Sequence, residues 1–315
     1  MTIQLADIER AAERIGTHAY RTPVLRSQYL DDLTGTRLAF KCENLQRVGA
    51  FKFRGACNAV LSLADTVAPR GVVTHSAGNH GAALALAARL RGIPAYIVVP
   101  QGTVKSKTDA ILEYGATLHL CAPTLEAREV ECERIRAETG ATLVHPFTDP
   151  AVIAGQGTAA LELIREVGEL DVVMAPVSGG GLIGGTAIAA RTLLPDIRLF
   201  AAEPEGAADA LESLRRGERV TDIVPHTICD GLRAGIGAVN FALLQQFAIS
   251  VLPVTDAETI AAMRLIFERL KLVVEPSSAT VLAAMLRHRE PFAGQRVGLI
   301  LSGGNVDLDK LPWQT

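Results

Sequence analysis

The sequence predicts an α/β fold of two doubly wound domains with parallel sheets, the smaller inserted into the larger. Three observations predict it. Short runs rich in Val and Ile alternate with longer helical patterns, as a parallel sheet covered on both faces requires. Glycines stand where the helices should end. The segments rich in Gly, Ser and Asn follow predicted strands, at the carboxyl ends where such folds bind ligands.

The clearest stretch holds strands at 72–75, 95–99, 117–121 and 142–145, with helices at 79–90, 104–114 and 125–139 between them. Gly92, Gly115 and Gly140 each follow one of those helices. A second set of strands is expected at 172–177, 199–203, 250–254 and 296–301. The expected division is a large domain of residues 1–65 and 149–315 and a small inserted domain of residues 66–148.

Composition narrows the function classes. A chain of 315 residues can bury one large or two modest cores. Net charge is −3 and no Lys/Arg run appears, so nucleic acid and anionic membrane are not expected partners. Residues 1–15 carry Asp7, Glu9, Arg10, Glu13 and Arg14, which no secretory signal tolerates. The uncharged run 172–190 is long enough to raise a membrane span. It contains Pro176, Ser178 and five glycines, however, and each Gly costs a helix roughly 1 kcal/mol. A buried strand, a glycine turn and a helix start fit it better. The five cysteines, Cys42, Cys57, Cys121, Cys132 and Cys229, are odd in number and form no C-x-x-C. Free buried thiols in a reducing cytoplasm are expected.

Four segments carry chemistry. Lysine is scarce, six of 31 basic residues, and Lys52 stands in Gly49-Ala50-Phe51-Lys52-Phe53-Arg54-Gly55-Ala56. A Schiff-base lysine needs a desolvated setting that frees its amine, and the two phenylalanines suit that. On spacing alone a surface lysine at a helix end serves as well. Thr74-His75-Ser76-Ala77-Gly78-Asn79-His80-Gly81 joins a strand to a helix and offers N–H groups to a carboxylate. Asn79 or Ser76 acting as a simple N-cap would explain one residue of the cluster. Ser178-Gly179-Gly180-Gly181-Leu182-Ile183-Gly184-Gly185 follows the strand at 172–177 and lets backbone approach a phosphate. It also meets G-x-G-x-x-G at Gly179, Gly181 and Gly184, with Glu203 at the end of the next strand, so an NAD-dependent oxidoreductase is an open alternative. Leu301-Ser302-Gly303-Gly304-Asn305 follows the last strand and alone reads as a glycine turn.

Together these segments resemble the fold-type II pyridoxal-phosphate enzymes, whose fold is like that of the tryptophan synthase β subunit, and within them the threonine/serine dehydratase and serine racemase group. The likeness spans essentially the whole chain. It includes Arg21-Thr22-Pro23, Ala154-Gly155-Gln156-Gly157-Thr158, Thr227-Ile228-Cys229-Asp230-Gly231 and Val274-Glu275-Pro276-Ser277. Several ordered motifs outweigh one glycine loop and demote the nicotinamide alternative.

The resemblance implies pyridoxal 5'-phosphate as cofactor and roles by residue. Lys52 is the Schiff-base lysine and the catalytic base. Phe51 packs on the pyridine ring, Asn79 bonds the ring hydroxyl, and Glu275 belongs to the cofactor site. Ser178, Gly179, Gly180, Gly181 and Leu182 form the phosphate loop, and Ser302 partners the pyridine nitrogen. Ser76, Ala77, Asn79 and His80 surround the substrate carboxylate, and Arg128 lies near the substrate mouth. Glu203, the Ala207 carbonyl and Asp209, within Glu203-Pro204-Glu205-Gly206-Ala207-Ala208-Asp209, resemble a divalent-cation site. All-oxygen ligation suits Mg²⁺, Mn²⁺ or Ca²⁺; a solvated acidic loop is the alternative.

The expected activity is an ammonia-lyase (dehydratase) reaction that turns a small 3-hydroxy amino acid of the threonine/serine type into a 2-oxo acid and ammonia. The alternatives within the group are a 3-hydroxyaspartate dehydratase and a serine or aspartate racemase. Arg128 with Arg233 would take a second carboxylate, unless both only make surface salt bridges. Racemases of the group usually carry Ser at the place of Ala77, which has no proton to give. Ala50 stands where many relatives have Ser. A homodimer is usual in the group. The chain after Trp313 is too short for the regulatory domain of biosynthetic threonine dehydratases, so feedback inhibition through one is not expected.

Overall fold

The structure, a computed structural model, describes residues 3–314; Met1, Thr2 and Thr315, which the expected domain division includes, lie outside the described residues. Among the described residues, ten strands form two sheets. β1 (Val24–Leu25), β2 (Arg37–Cys42), β7 (Val172–Pro176), β8 (Arg198–Pro204), β9 (Ser250–Val254) and β10 (Arg296–Leu301) make a six-stranded sheet in the order β1-β2-β10-β7-β8-β9. β3 (Val72–Thr74), β4 (Ala95–Pro100), β5 (Thr117–Cys121) and β6 (Thr142–Leu143) make a four-stranded sheet in the order β5-β4-β3-β6. All pairings are parallel except β1 with β2. The predicted α/β class with parallel sheets is what the chain forms.

Period-two alternation decides which side chain faces which helix layer. In β7, Val173 and Ala175 face a core shared with helices Leu5–Ile15, Pro150–Val167 and Gly181–Leu193, while Val172 and Met174 face helices Asp256–Leu270 and Pro276–Arg287. Both faces are buried, so the strand reads as a continuous apolar run. The small sheet is covered likewise. Helices Lys52–Ser62 and Asn79–Arg91 pack over Val72, Ile97 and Val99, and Cys132 and Ile135 of helix Leu125–Thr139 pack over Val73 and Val98.

Two expected strands end early. The strand expected at 142–145 is assigned only to Leu143, although the Val144 amide still donates to the Val73 carbonyl (2.9 Å); beyond it Pro146 has no N–H for a ladder, and the His145 ring captures the next two amides. The strand expected at 72–75 stops at Thr74. Gly92, Gly115 and Gly140 take φ of +71°, +86° and +70° after their helices, as expected of such caps.

Helix Lys52–Ser62 lies between the two layered units, against helices Asn79–Arg91 and Pro150–Val167. A Cβ on Gly155 would stand 2.6 Å from the Arg54 carbonyl oxygen. The Ala-Gly-Gln-Gly-Thr segment therefore works by close packing beneath the helix that carries Lys52.

Candidate active site

Lys52 is the first residue of its helix, and backbone pairing fixes where that helix begins. Ala50 bridges Gly303, the Phe51 amide donates to the Ser302 carbonyl (3.0 Å), and the Gly304 amide donates to the Gly49 carbonyl (2.9 Å). Val48 and Gly49 take positive φ (+56° and +69°) to enter this bridge. The Lys52 side chain is half-buried; its Nζ donates to the Pro146 carbonyl (3.0 Å) and lies 5.1 Å from the Phe51 ring centre. No carboxylate touches it among the described residues. Burial therefore lowers its pKa to about 8, against the opposing pull of Glu275.

The segment between β3 and helix Asn79–Arg91 faces this amine. Among the described residues, nothing accepts a hydrogen bond from the N–H groups of Asn79, His80 and Gly81, the usual vacancy of a helix start. Ser76 and Ala77 are half-buried beside them. The His80 imidazole faces elsewhere: its Nε2 meets the Val144 carbonyl at 3.1 Å and its Nδ1 is enclosed without a partner. Burial first, then the Lys52 charge, depresses its pKa to about 3, so the ring is neutral. What His80 offers an anion is its backbone N–H.

The glycine loop after β7 opens helix Gly181–Leu193. Gly180 takes φ +90°, a conformation that L side chains rarely adopt. A Cβ on Gly179 would come within 2.3 Å of the Phe147 ring. Asn240 Nδ2 ties the loop down through the carbonyls of Phe147 (2.8 Å) and Gly179 (2.5 Å), and Ser178 Oγ bonds the Ala234 carbonyl (2.7 Å) and amide (3.1 Å). Among the described residues, no acceptor takes the N–H groups of Gly179, Gly180, Gly181, Leu182 or Ile183. A row of free amides at a helix N-terminus, with no side chain in the way, fits a phosphate.

Behind Lys52, Asn79 Nδ2 reaches both Glu275 oxygens (3.2 and 3.1 Å), and Asn305 Nδ2 donates to Asn79 Oδ1 (2.8 Å). Burial pushes the Glu275 carboxyl up to about 7, against the Asn79 bond. Ser302 is 3 % exposed, directly after β10. The structure thus brings together Phe51, Lys52, Asn79, Glu275, Ser302 and both loops.

Sequence reasoning gave no role to the segment that links these parts. Pro146 holds Lys52, Phe147 lies on the glycine loop, and the His145 ring sits edge-on to both Phe147 (4.6 Å) and His75 (5.4 Å). No motif marked it; its only signal was a proline beside two chemistry-bearing side chains. Arg128 is half-buried and close enough to His75 to oppose its protonation, second to burial. Arg233 is exposed and paired with Asp230 (3.3 Å), which also bonds Lys107 (3.0 Å), and among the described residues no side-chain bond joins it to His75 or His145.

Glu203, Ala207 and Asp209 lie apart from Lys52, at the end of β8. Glu203 is wholly buried and accepts the Ala210 and Leu211 amides (2.9 and 3.0 Å); Asp209 Oδ2 accepts the Ile236 amide (2.6 Å). Burial raises both carboxyls, Glu203 to about 8. Glu203, Ala207 and Asp209 are all buried, so these three do not form a solvated loop. Among the described residues there is no cluster of three or more Asp, Glu, His or Cys side chains that would hold a metal by itself.

Comparison with known proteins agrees. The model of the family "Pyridoxal-phosphate dependent enzyme" matches residues 15–303. The chain is 48 % identical over 307 residues to a beta-hydroxyaspartate dehydratase of Paracoccus denitrificans, covering 98 % of each chain. The crystal structure of serine racemase from Dictyostelium discoideum superposes with a TM-score of 0.93 at 46 % identity, over 98 % of this chain and 100 % of that one. The processed form of threonine deaminase isoform 2 from Solanum lycopersicum gives 0.92 at 32 % identity, over 98 % and 85 %. These overturn the oxidoreductase alternative. The chain belongs to the fold-type II pyridoxal-phosphate dependent enzymes.

Proposed function

We propose that the enzyme is a dehydratase that converts a small 3-hydroxy amino acid to a 2-oxo acid and ammonia. One observation carries this: the low-pKa amine of Lys52 stands beside a loop in which Ala77, not a hydroxyl residue, occupies the position of a second base. One base that removes the α-proton supports elimination; returning a proton to the opposite face needs another donor.

The bound cofactor supplies an electron sink that acidifies the α-proton of its amino-acid substrate. Lys52 holds it and, once its amine is free, takes that proton; a pKa near 8 leaves a useful neutral fraction at physiological pH. The amides of Gly179, Gly180, Gly181 and Leu182, with Ser178, would bind its phosphate. Phe51 would pack on the ring, Asn79 with Glu275 behind it would bond the ring hydroxyl, and Ser302 would serve the ring nitrogen. A neutral hydroxyl cannot keep that nitrogen protonated as an Asp would, which favours prompt loss of the β-hydroxyl. The amides of Asn79 and His80, with Ser76, hold the α-carboxylate. Glu203, Asp209 and the Ala207 carbonyl would bind Mg²⁺, Mn²⁺ or Ca²⁺ and brace the region between β8 and β9.

A more specific substrate is favoured by Arg128. Arg128, near enough to act on the charge of His75, would take a second carboxylate, and the similarity to a beta-hydroxyaspartate dehydratase supports 3-hydroxyaspartate. Assembly as a homodimer is part of the proposal, testable by sedimentation. So is residence in the cytoplasm, supported by five buried free thiols; no helix among the described residues is long and apolar enough to cross a membrane.

The test is a panel of serine, threonine and 3-hydroxyaspartate assayed for ammonia and 2-oxo acid, with and without Mg²⁺, alongside chiral chromatography. Ammonia release that outpaces racemisation is expected. Rapid racemisation of serine without ammonia would overturn the dehydratase assignment.

A further inference from the structure

His145 has the geometry of a fixed donor. Its Nδ1 accepts the amides of Phe147 (3.4 Å) and Thr148 (3.2 Å). A neutral imidazole that accepts at Nδ1 carries its proton on Nε2. No acceptor among the described residues takes that hydrogen, and Nε2 is not one of the enclosed, partnerless atoms. Phe147 and His75 hold the half-buried ring edge-on from two sides. Burial, then His75 and Lys52, keeps its pKa down at about 4, so the ring is neutral in the working range. A neutral imidazole is too weak an acid to protonate a leaving hydroxyl. It serves instead as a preorganised N–H donor, which loses little entropy on binding.

Its surroundings name what it would bind. The adjacent Pro146 carbonyl holds Lys52, which marks the reacting carbon. On the other side, His75 feels the Arg128 guanidinium. His145 therefore lies next to the residue that holds Lys52 on one side and, on the other, against the His75 ring on which Arg128 acts.

We infer that His145 is a specificity-determining residue whose Nε2–H, together with Arg128, receives the second carboxylate of a dicarboxylic 3-hydroxy amino acid. The inference rests on the dicarboxylate assignment of Arg128.

The experiment uses the holoenzyme with His145→Asn and His145→Phe, assayed on 3-hydroxyaspartate and serine. Asn keeps an oxygen for the two amides but is too short to place a donor where Nε2 stands; Phe keeps the ring without nitrogen. The kcat/KM ratio of 3-hydroxyaspartate to serine should fall about tenfold or more in both variants, carried by KM, as expected for loss of a uniform binding contact. The absorbance of the bound cofactor should be unchanged. Equal losses on both substrates, or an unchanged ratio, would overturn the inference. A wild-type enzyme that does not prefer 3-hydroxyaspartate removes the dicarboxylate assignment and the inference with it. A preference that survives both substitutions removes the inference alone.

Discussion

Lys41 and Lys52 stand close together in sequence, and both are withdrawn from water, yet their surroundings make them opposites. Lys41 is wholly buried in β2 and fully answered: its Nζ bonds the Thr22 carbonyl (2.7 Å) and the Glu162 carboxylate (2.6 Å). Arg54 joins the same network through Glu43 (2.7 and 2.8 Å) and Glu162 (both contacts 2.8 Å). Two cations meet two carboxylates there, so charge balances and the group acts as a rivet beneath the Lys52 helix. Lys52 has a carbonyl and a phenyl ring but no carboxylate in contact. Its ammonium is therefore costly and its amine is available. A buried lysine given a counter-ion is structure; one denied it becomes a nucleophile and a base.

The contrast can be broken most severely at Lys52. Lys52→Ala should abolish the absorbance of bound cofactor and lower turnover by roughly 10⁴-fold or more, with no loss of urea stability in the cofactor-free enzyme. Arg54→Met should do the reverse. It leaves the wholly buried Glu43 uncompensated, so urea titration should show a loss of about 3–5 kcal/mol, with cofactor absorbance per folded molecule retained. Lys41→Met should cost less, about 1–3 kcal/mol, because Arg54 still answers Glu162.

Lys52 also predicts a pH effect. The Lys52 pKa falls from 10.5 in the unfolded chain to about 8 in the fold. Between those values the unfolded chain binds the extra proton, so stability rises with pH across that window. Thermal melting of cofactor-free enzyme should therefore gain from about pH 8 to 10 relative to Lys52→Met; a parallel or falling difference would contradict the desolvation account. The smallest effect is expected from Ala77→Ser, which adds a second proton-bearing group opposite Lys52. It should raise the ratio of racemisation to elimination, measured by chiral chromatography against ammonia release.

The same contrast explains what was legible in the sequence. The Lys52 segment, the glycine loop and Ser302 were visible because their chemistry demands particular residues in a short span. β2 was not, since Lys41 interrupts its apolar run; the carboxylate that licenses that lysine, Glu162, lies over a hundred positions away in sequence. His145 was hidden for a related reason: its strand was expected to run through it. Only a side-chain bond to its own following amides shows that it leaves the sheet. Arg128 and Arg233 looked alike in sequence, and an ion pair of Arg233 with Asp230, three residues before it, separates them.

The most direct test of the central claim fixes the cofactor to its lysine. The holoenzyme is reduced with borohydride, digested and examined by peptide mass spectrometry. A pyridoxyl-phosphate adduct on the peptide carrying Lys52, with Lys41 unmodified, is the predicted result. An adduct on Lys41 or any other lysine, with Lys52 unmodified, would contradict the account.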